Sequence, residues 1–195
     1  MFRELLACEF APFGALSEWQ LDQLQAHYDL LGRWNSRLNL TRILTEEDAV
    51  RFHYCESLFL GRFLPAGPLR VVDIGSGAGF PGLPVAILRP ECYVTLVESH
   101  LRKSVFLREA SRGVRNVSVV SKRAEDVSER FDWTISRAVD PSEVLTLGLS
   151  DRLALLIGEG DASRLGTGRS RILPWGKHRV LFHVEPEVEV PRGTL

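Results

Sequence analysis

One stretch limits what this chain can become more than any other: Val71-Val72-Asp73-Ile74-Gly75-Ser76-Gly77-Ala78-Gly79-Phe80-Pro81-Gly82. A short apolar run dense in β-branched residues, Leu69 to Ile74, delivers the backbone into glycines that permit a tight turn and close approach of a ligand. The apolar segment Leu83 to Leu88 then suits a helix. In open α/β sheets such a loop lies at the carboxyl ends of the strands, where ligands bind. Glu98 closes the next short apolar strand, Tyr93 to Val97, at the spacing that places an acid on ribose hydroxyls. A dinucleotide fingerprint would put its third glycine at position 80, which is Phe80 here. Pro81, read as the first helical residue, also lacks an N–H that a pyrophosphate would use.

The rest of the chain fits around this unit. Residues before Pro65 read as helical: Ser17 with Gln20 forms a capping box ahead of Leu21, Leu24, Tyr28 and Leu31, and Thr45 with Asp48 opens a second helix towards Leu60. Beyond Pro65, Gly67 and Pro68, strands alternate with helices. Leu101 to Ala110 is an amphipathic helix with Val105, Phe106 and Leu107 as its apolar residues, and Val117 to Val120 and Phe131 to Ser136 are strands. A short helix is expected in Pro141 to Leu149 and a further strand over Arg152 to Ile157. Val180 to Val184 with Val188 to Val190 suggests an antiparallel pair at the sheet edge. The expected architecture is an α/β doubly wound, mostly parallel sheet with an antiparallel edge hairpin (67–195) behind an N-terminal helical cap (1–66).

Composition narrows the class. With 195 residues and 45% hydrophobic content, the chain can bury a real core. It carries no apolar run long enough to span a membrane and no secretory signal. Its three cysteines are odd in number and widely spaced, which argues for a reducing, cytoplasmic setting and against a zinc site. Net charge is −1, so overall charge gives nucleic-acid binding no support. Locally, Arg102, Lys103, Arg108, Arg112, Arg115, Lys122 and Arg123 crowd a stretch whose only acid is Glu109. That is either a solvated helix face or a phosphate-contacting patch.

The alternating Gly75, Gly77 and Gly79, with Asp73 two residues before the first, resemble the first motif of class I methyltransferases. Further motifs are Trp34-Asn35, Asn39-Leu40-Thr41, His53 with Glu56-Ser57-Leu58, and Val97-Glu98-Ser99 followed by Lys103 and Phe106-Leu107. Arg123-Ala124-Glu125, Phe131-Asp132 and Ser136-Arg137-Ala138 complete the set. Together they resemble the ribosomal RNA small-subunit methyltransferase G family, also called glucose-inhibited division protein B, over about residues 20 to 145. The resemblance implies methylation of guanine N7 in 16S ribosomal RNA with S-adenosyl-L-methionine as cofactor. It implies cofactor contacts at Asp73, Gly75, Gly77, Gly79, Phe80, Ala124, Glu125 and Arg137, with Glu98 added by class analogy. It also places Asn39, Thr41 and His53 near the cofactor mouth. Three departures stand out: Glu56 where the family has aspartate, Glu159 after Gly158 where a lysine-glycine pair is common, and a short C-terminal region from Asp161 to Leu195 that matches poorly.

Guanine N7 attacks with a lone pair that is already free, so the reaction needs alignment and electrostatics rather than a general base. Arg137 is the first catalytic candidate, holding the cofactor carboxylate or the target nucleotide; as a plain surface residue it would pair with Asp140. Asn39 is the second, as a reader of the guanine N7 and O6 edge, against a role as a helix-ending residue capping its own backbone. Arg102, Lys103, Lys122 and Arg123 are candidate RNA contacts. His53 and the four tryptophans read more simply as core residues. No metal is expected. The implied partners are small-subunit ribosomal RNA or a 30S assembly intermediate, met by a monomer. Two alternatives remain: a class I methyltransferase acting on a small molecule, and a non-catalytic RNA-binding assembly protein that keeps the fold.

Overall fold

The computed structural model describes residues 1–42, 45–166 and 168–186. Seven strands form one sheet in the order β3-β2-β1-β4-β5-β7-β6. They are β1 (Arg70–Ile74), β2 (Tyr93–Val97), β3 (Val117–Val120), β4 (Trp133–Arg137), β5 (Leu153–Gly158), β6 (Arg169–Ile172) and β7 (Arg179–Val184). Strands β1 to β5 pair in parallel, while β7 runs antiparallel to both β5 and β6. Chain order reverses direction at β1, between β2 and β4. That switch point opens a crevice above the strand ends, where the glycine loop emerges.

The central strands bury both faces, as parallel strands under helices must: Val71, Val72, Val94, Leu96, Ile135 and Ala154 are fully buried. Helices α5 (Gly82–Leu88) and α6 (Leu101–Ala110) follow β1 and β2, and α7 (Pro141–Thr146) follows β4. Phe106 and Leu107 of α6 enter the core, but Val105 faces solvent, 45% exposed.

The N-terminal helices are α1 (Phe2–Phe10), α2 (Glu18–Leu38), α3 (Glu46–Asp48) and α4 (Glu56–Phe63), with Ala49–Cys55 between the last two wound as a π-helix. The capping box at α2 is present in both directions: the Gln20 amide donates to Ser17 Oγ and the Ser17 amide to Gln20 Oε1. Thr45 caps α3 through the Asp48 amide. Helix α1, inside the stretch read as helical but given no bounds of its own there, inserts Phe2, Leu6 and Phe10 into the same hydrophobic cluster as Val71, Val94 and Ile135. Each such side chain contributes roughly 1.5–3 kcal/mol of burial, so cap and sheet share one core. Trp133 is buried, Trp34 and Trp175 pack against the core, and Trp19 is exposed rather than internal.

The edge hairpin differs from its expected form. Val180 to Val184 lies in β7, but its hairpin partner is β6, all four of whose residues are exposed. The stretch Val188 to Val190 lies outside the described residues. A final helix, α8 (Glu159–Leu165), follows β5, and Glu159 accepts a hydrogen bond from His178 Nδ1 at 2.9 Å.

Candidate functional site

The glycine loop spends its own amides on holding its shape. Gly75 and Ser76 donate to the Val97 carbonyl, Gly79 and Phe80 to the Ser76 carbonyl, Gly77 to Glu98 Oε2, and Gly82 to Asp73 Oδ2. A pyrophosphate needs such donors turned towards it, and here they are committed inward. Pro81 immediately precedes α5 rather than opening it, so the loss of its N–H matters less than this wholesale use of the amides. Positive φ at Gly75 (+70°) and Gly82's close approach to Asp73 explain two of the glycines. A Cβ on Gly75 would meet Val139 Cγ2 at 2.4 Å, and one on Gly82 would meet Asp73 Oδ2 at 2.6 Å.

Under the loop, Asp73 is fully buried, and its Oδ1 has no hydrogen-bond partner. Burial pushes its carboxyl up to about 7, against the pull of the Gly82 amide. Glu98 differs. Its Oε1 accepts from the His100 amide at 2.8 Å and its Oε2 from Gly77 at 3.0 Å, leaving each oxygen a further lone pair for a hydroxyl donor.

A cavity of about 270 Å³ opens above these groups, lined by Leu40, His53, Gly75 to Ala78, Phe80, Glu98, Lys103, Arg137 and Ala138. Arg137, at the carboxyl end of β4, donates through Nη1 to His53 Nδ1 at 2.6 Å. A guanidinium can only donate, so His53 carries its proton on Nε2 and donates a hydrogen bond from there to Thr41 Oγ1 at 2.7 Å. Burial and the neighbouring Arg137 charge push His53 down to about 2, so this imidazole stays neutral. Its ring stacks on Phe80 with centroids 4.5 Å apart. Arg137 itself is lowered to about 10 by burial, offset by Glu56, and stays charged at neutral pH. It does not pair with Asp140, which instead caps α7 through the Ser142 amide.

Beneath Arg137, Glu56 is fully buried and accepts both guanidinium arms of Arg179 from β7, at 2.6 and 2.7 Å. On the other side of the loop, His27 of α2 donates from Nε2 to the Ala78 carbonyl at 2.9 Å and accepts from the Tyr54 hydroxyl on Nδ1. Burial lowers His27 to about 4. The helical cap therefore clamps the glycine loop from below, through a residue that sequence reasoning passed over.

These shifts oppose one another in their pH dependence. Below the unfolded value of 6.5, the unfolded chain protonates His27 and His53 while the folded chain does not, so stability falls with acidification. Asp73 has the opposite sign, because the folded chain holds its proton up to about 7 and the unfolded chain releases it near 3.8. Two losses against one gain make acidification from pH 6.5 to pH 4.5 a net loss. Urea midpoints across that range are expected to fall as pH is lowered, and a rising midpoint would contradict the assigned protonation states.

The sequence candidates distribute unevenly. Gly75, Gly77, Phe80, Glu98, Lys103 and Arg137 line the cavity; Asp73 and Gly79 support it from below. Ala124 and Glu125 open a 3₁₀ turn (Ala124–Asp126) beyond β3, on the same sheet edge but outside the cavity lining, and Lys122 and Arg123 are exposed beside them. Asn39 ends α2 in the left-handed conformation with φ 47°, its amide donating to the Asn35 carbonyl. Its side chain is exposed beside Leu40, which lines the cavity. Among the described residues no helix is long and apolar enough to cross a membrane, and no His, Cys, Asp or Glu group could hold a metal ion.

Several solved structures share this fold. One is a magnesium protoporphyrin IX methyltransferase from Synechocystis with bound S-adenosylmethionine. It matches with TM-score 0.57 at 15% identity, over 88% of this chain and 98% of that one. Another is a methyltransferase from Aquifex aeolicus, with TM-score 0.55 at 15% identity, over 70% and 92%. At these identities the likeness establishes the class I methyltransferase fold alone. Sequence relatives are much nearer. The chain is 43% identical over 140 residues to the ribosomal RNA small subunit methyltransferase G of Roseiflexus castenholzii, covering 68% of this chain and 59% of that protein. It is 41% identical over 140 residues to the protein of the same name from Neisseria gonorrhoeae, covering 70% and 67%. The chain thus spans about three fifths to two thirds of the length of these relatives. Residues 20–155 match the GidB family pattern, described as rRNA small subunit methyltransferase G. With that match covering most of its length, the chain belongs to the GidB family, described as rRNA small subunit methyltransferase G.

Proposed function

We propose that this protein uses S-adenosyl-L-methionine to methylate guanine N7 in 16S ribosomal RNA, in the cytoplasm and as a monomer, on free small-subunit RNA or a 30S assembly intermediate. One observation carries the choice of cofactor. A glycine loop with most of its amides consumed internally, beside an acid with spare acceptor capacity, suits a nucleoside bearing a ribose diol and no pyrophosphate. The bound cofactor would supply an electrophilic methyl group on a sulfonium.

The protein's own groups do the rest. Glu98 would accept hydrogen bonds from the ribose hydroxyls, and Gly75, Gly77 and Gly79 would let the ligand come close to the backbone, with Asp73 fixing the loop from inside. Phe80, held by its stack on His53, gives the cavity an apolar wall. Arg137 points a charged fork into the cavity, with one arm fixed by His53 and the others available for a carboxylate or the target nucleotide. No group needs to remove a proton, because N7 carries a free lone pair, so a neutral His53 serves as an orienting residue. Asn39 supplies an amide suited to the guanine O6 and N7 edge, and Ala124 and Glu125, in the turn beyond β3, would contact the cofactor. Arg102, Lys103, Lys122 and Arg123 meet RNA phosphates.

Calorimetry with S-adenosylhomocysteine tests the cofactor assignment. Wild-type protein is expected to bind, and Glu98→Gln, which turns one acceptor into a donor, to bind at least about tenfold more weakly. No heat of association with folded wild-type protein would sink the reading. Substrate identity is tested by mass mapping of methylguanines in small-subunit RNA from cells lacking the protein; an unchanged pattern, with labelling of a metabolite instead, would show a small-molecule enzyme.

A further inference from the structure

A second hollow, about 570 Å³, lies outside the cofactor cavity, between the last turns of α2 and the first turn of α6. Arg33, Trp34, Arg37, Leu38 and Arg102 line it. It adjoins the cofactor cavity: Lys103 follows Arg102 directly, Leu40 follows Leu38 by two residues, and both Lys103 and Leu40 line that cavity. Its floor is fixed by Trp34, whose ring meets the buried Phe106 edge-on at 5.9 Å.

The charge in this hollow is unusual for this chain. Its acids outnumber its bases by one, and arginines elsewhere are commonly spent on carboxylates: Arg3 on Glu18 and Asp22, Arg51 on Glu9, Arg70 on Glu129, Arg179 on Glu56. Arg33, Arg37 and Arg102 make no side-chain hydrogen bond or ion pair among the described residues. The nearest acid on α2, Asp29, stands at the i,i+4 spacing from Arg33 yet accepts from Gln25 instead. Arg102 and Lys103 also sit in the first turn of a helix that has no acid there, where cations oppose the helix dipole. Arg37, in the last turn of α2, has an ordinary dipole role; Arg33 and Arg102 do not. Such an arrangement costs the isolated protein stability and suits an anion.

We infer that this α2–α6 groove seats a single-stranded segment of the substrate RNA next to the target guanine, with Arg33, Arg37 and Arg102 on successive phosphates and a base against Trp34. The inference rests on the RNA methyltransferase reading and extends the RNA surface across the cavity mouth, away from the patch at Lys122 and Arg123. Unpaired RNA fits better than duplex, since an aromatic side chain on a groove floor can stack only with a base already out of its helix.

The test uses the full chain and the paired substitutions Arg33→Glu and Arg37→Glu, both at exposed positions. Binding of deproteinised small-subunit RNA and of a single-stranded oligonucleotide is measured across a salt series, alongside S-adenosylhomocysteine affinity. Losing two phosphate contacts should weaken RNA binding by at least tenfold and flatten the log–log salt slope by about 1.4. Cofactor affinity should stay the same, and the wild-type oligonucleotide complex should show quenched Trp34 fluorescence that Trp34→Leu abolishes. Unchanged affinity and slope in the paired variant would overturn the inference, as would loss of RNA binding only in Lys122→Glu with Arg123→Glu. A wild-type protein that binds RNA through this groove but methylates none would leave the groove standing and refute the methyltransferase reading. Selective capture of an acidic protein segment in place of RNA would overturn the groove assignment while leaving that reading intact.

Discussion

Arg137→Ala is expected to cut methyl transfer by two to three orders of magnitude while the protein stays folded. Removing a preorganised charged donor from a water-poor site costs that much where the group acts on the reacting atoms. The fold should survive because Arg137 is not the foundation of its neighbourhood: Glu56 remains paired with Arg179, and His53 keeps its bond to Thr41. What is lost is a guanidinium whose direction is set by a neutral imidazole 2.6 Å away. Arg137→Lys should rescue little, since an ammonium cannot reproduce a planar fork held by one arm. His53→Ala should lower turnover less, by letting Arg137 swing, and should leave the pH–rate profile unshifted because His53 never titrates near neutrality. Single-turnover methylation of small-subunit RNA, run beside thermal melts, separates these outcomes. Wild-type turnover in Arg137→Ala would remove the residue from the mechanism. Gly75→Arg makes a poorer probe than its position suggests. Any Cβ there runs into Val139 and forces a side chain onto positive φ, so lost activity would report strain as readily as lost cofactor.

The cofactor side of the site was legible because it is written locally. The apolar run, the alternating glycines and the acid ending the next strand lie within 28 residues (71 to 98), and β2 and β3 have the bounds expected of them. The cap side was not, because it is built from partners far apart in the chain. His27 is one histidine on an amphipathic helix, and only the fold brings it against Ala78 and Tyr54. Strand β6 escaped notice for a different reason. Its residues Arg169–Ile172 are all exposed, so no alternation of apolar and polar residues marks it, and it exists by pairing with β7. The helix opened by Thr45 continues as expected, but seven of its residues widen into a π-helix, Ala49–Cys55. That segment sets His53 against Arg137 and is followed directly by Glu56, and π turns concentrate where function needs a side chain re-aimed.

Glu56 carries the second large expected effect. Its side chain is fully buried, and Arg179, 29% exposed, grips both of its oxygens. Breaking such a pair from either side strands a charge, at a cost of about 3–5 kcal/mol when the stranded charge cannot reach water. The two sides are not equal. Glu56→Ala leaves an arginine that already reaches solvent and can turn outward, so its cost should fall near or below the lower figure. Arg179→Ala leaves a carboxylate with no route to solvent, which must take up a proton or remain charged beside Arg137, and should cost at least as much. Replacing both residues by alanine should cost less than the sum of the single changes, because neither member of the pair is then left facing a missing partner, although Arg137 loses its offsetting anion in both Glu56 variants. Urea denaturation of the four proteins at pH 7 gives the comparison. Equal and additive losses would mean the pair is no more than a surface contact. Glu56 thus reaches a partner supplied by the C-terminal hairpin, which lies beyond the residues 20–155 that match the family. That hairpin thereby holds the anion that offsets the desolvation of Arg137. Loss of Arg179 should accordingly disturb methyl transfer as well as stability, and a destabilised but fully active Arg179→Ala would confine the pair to a purely structural role.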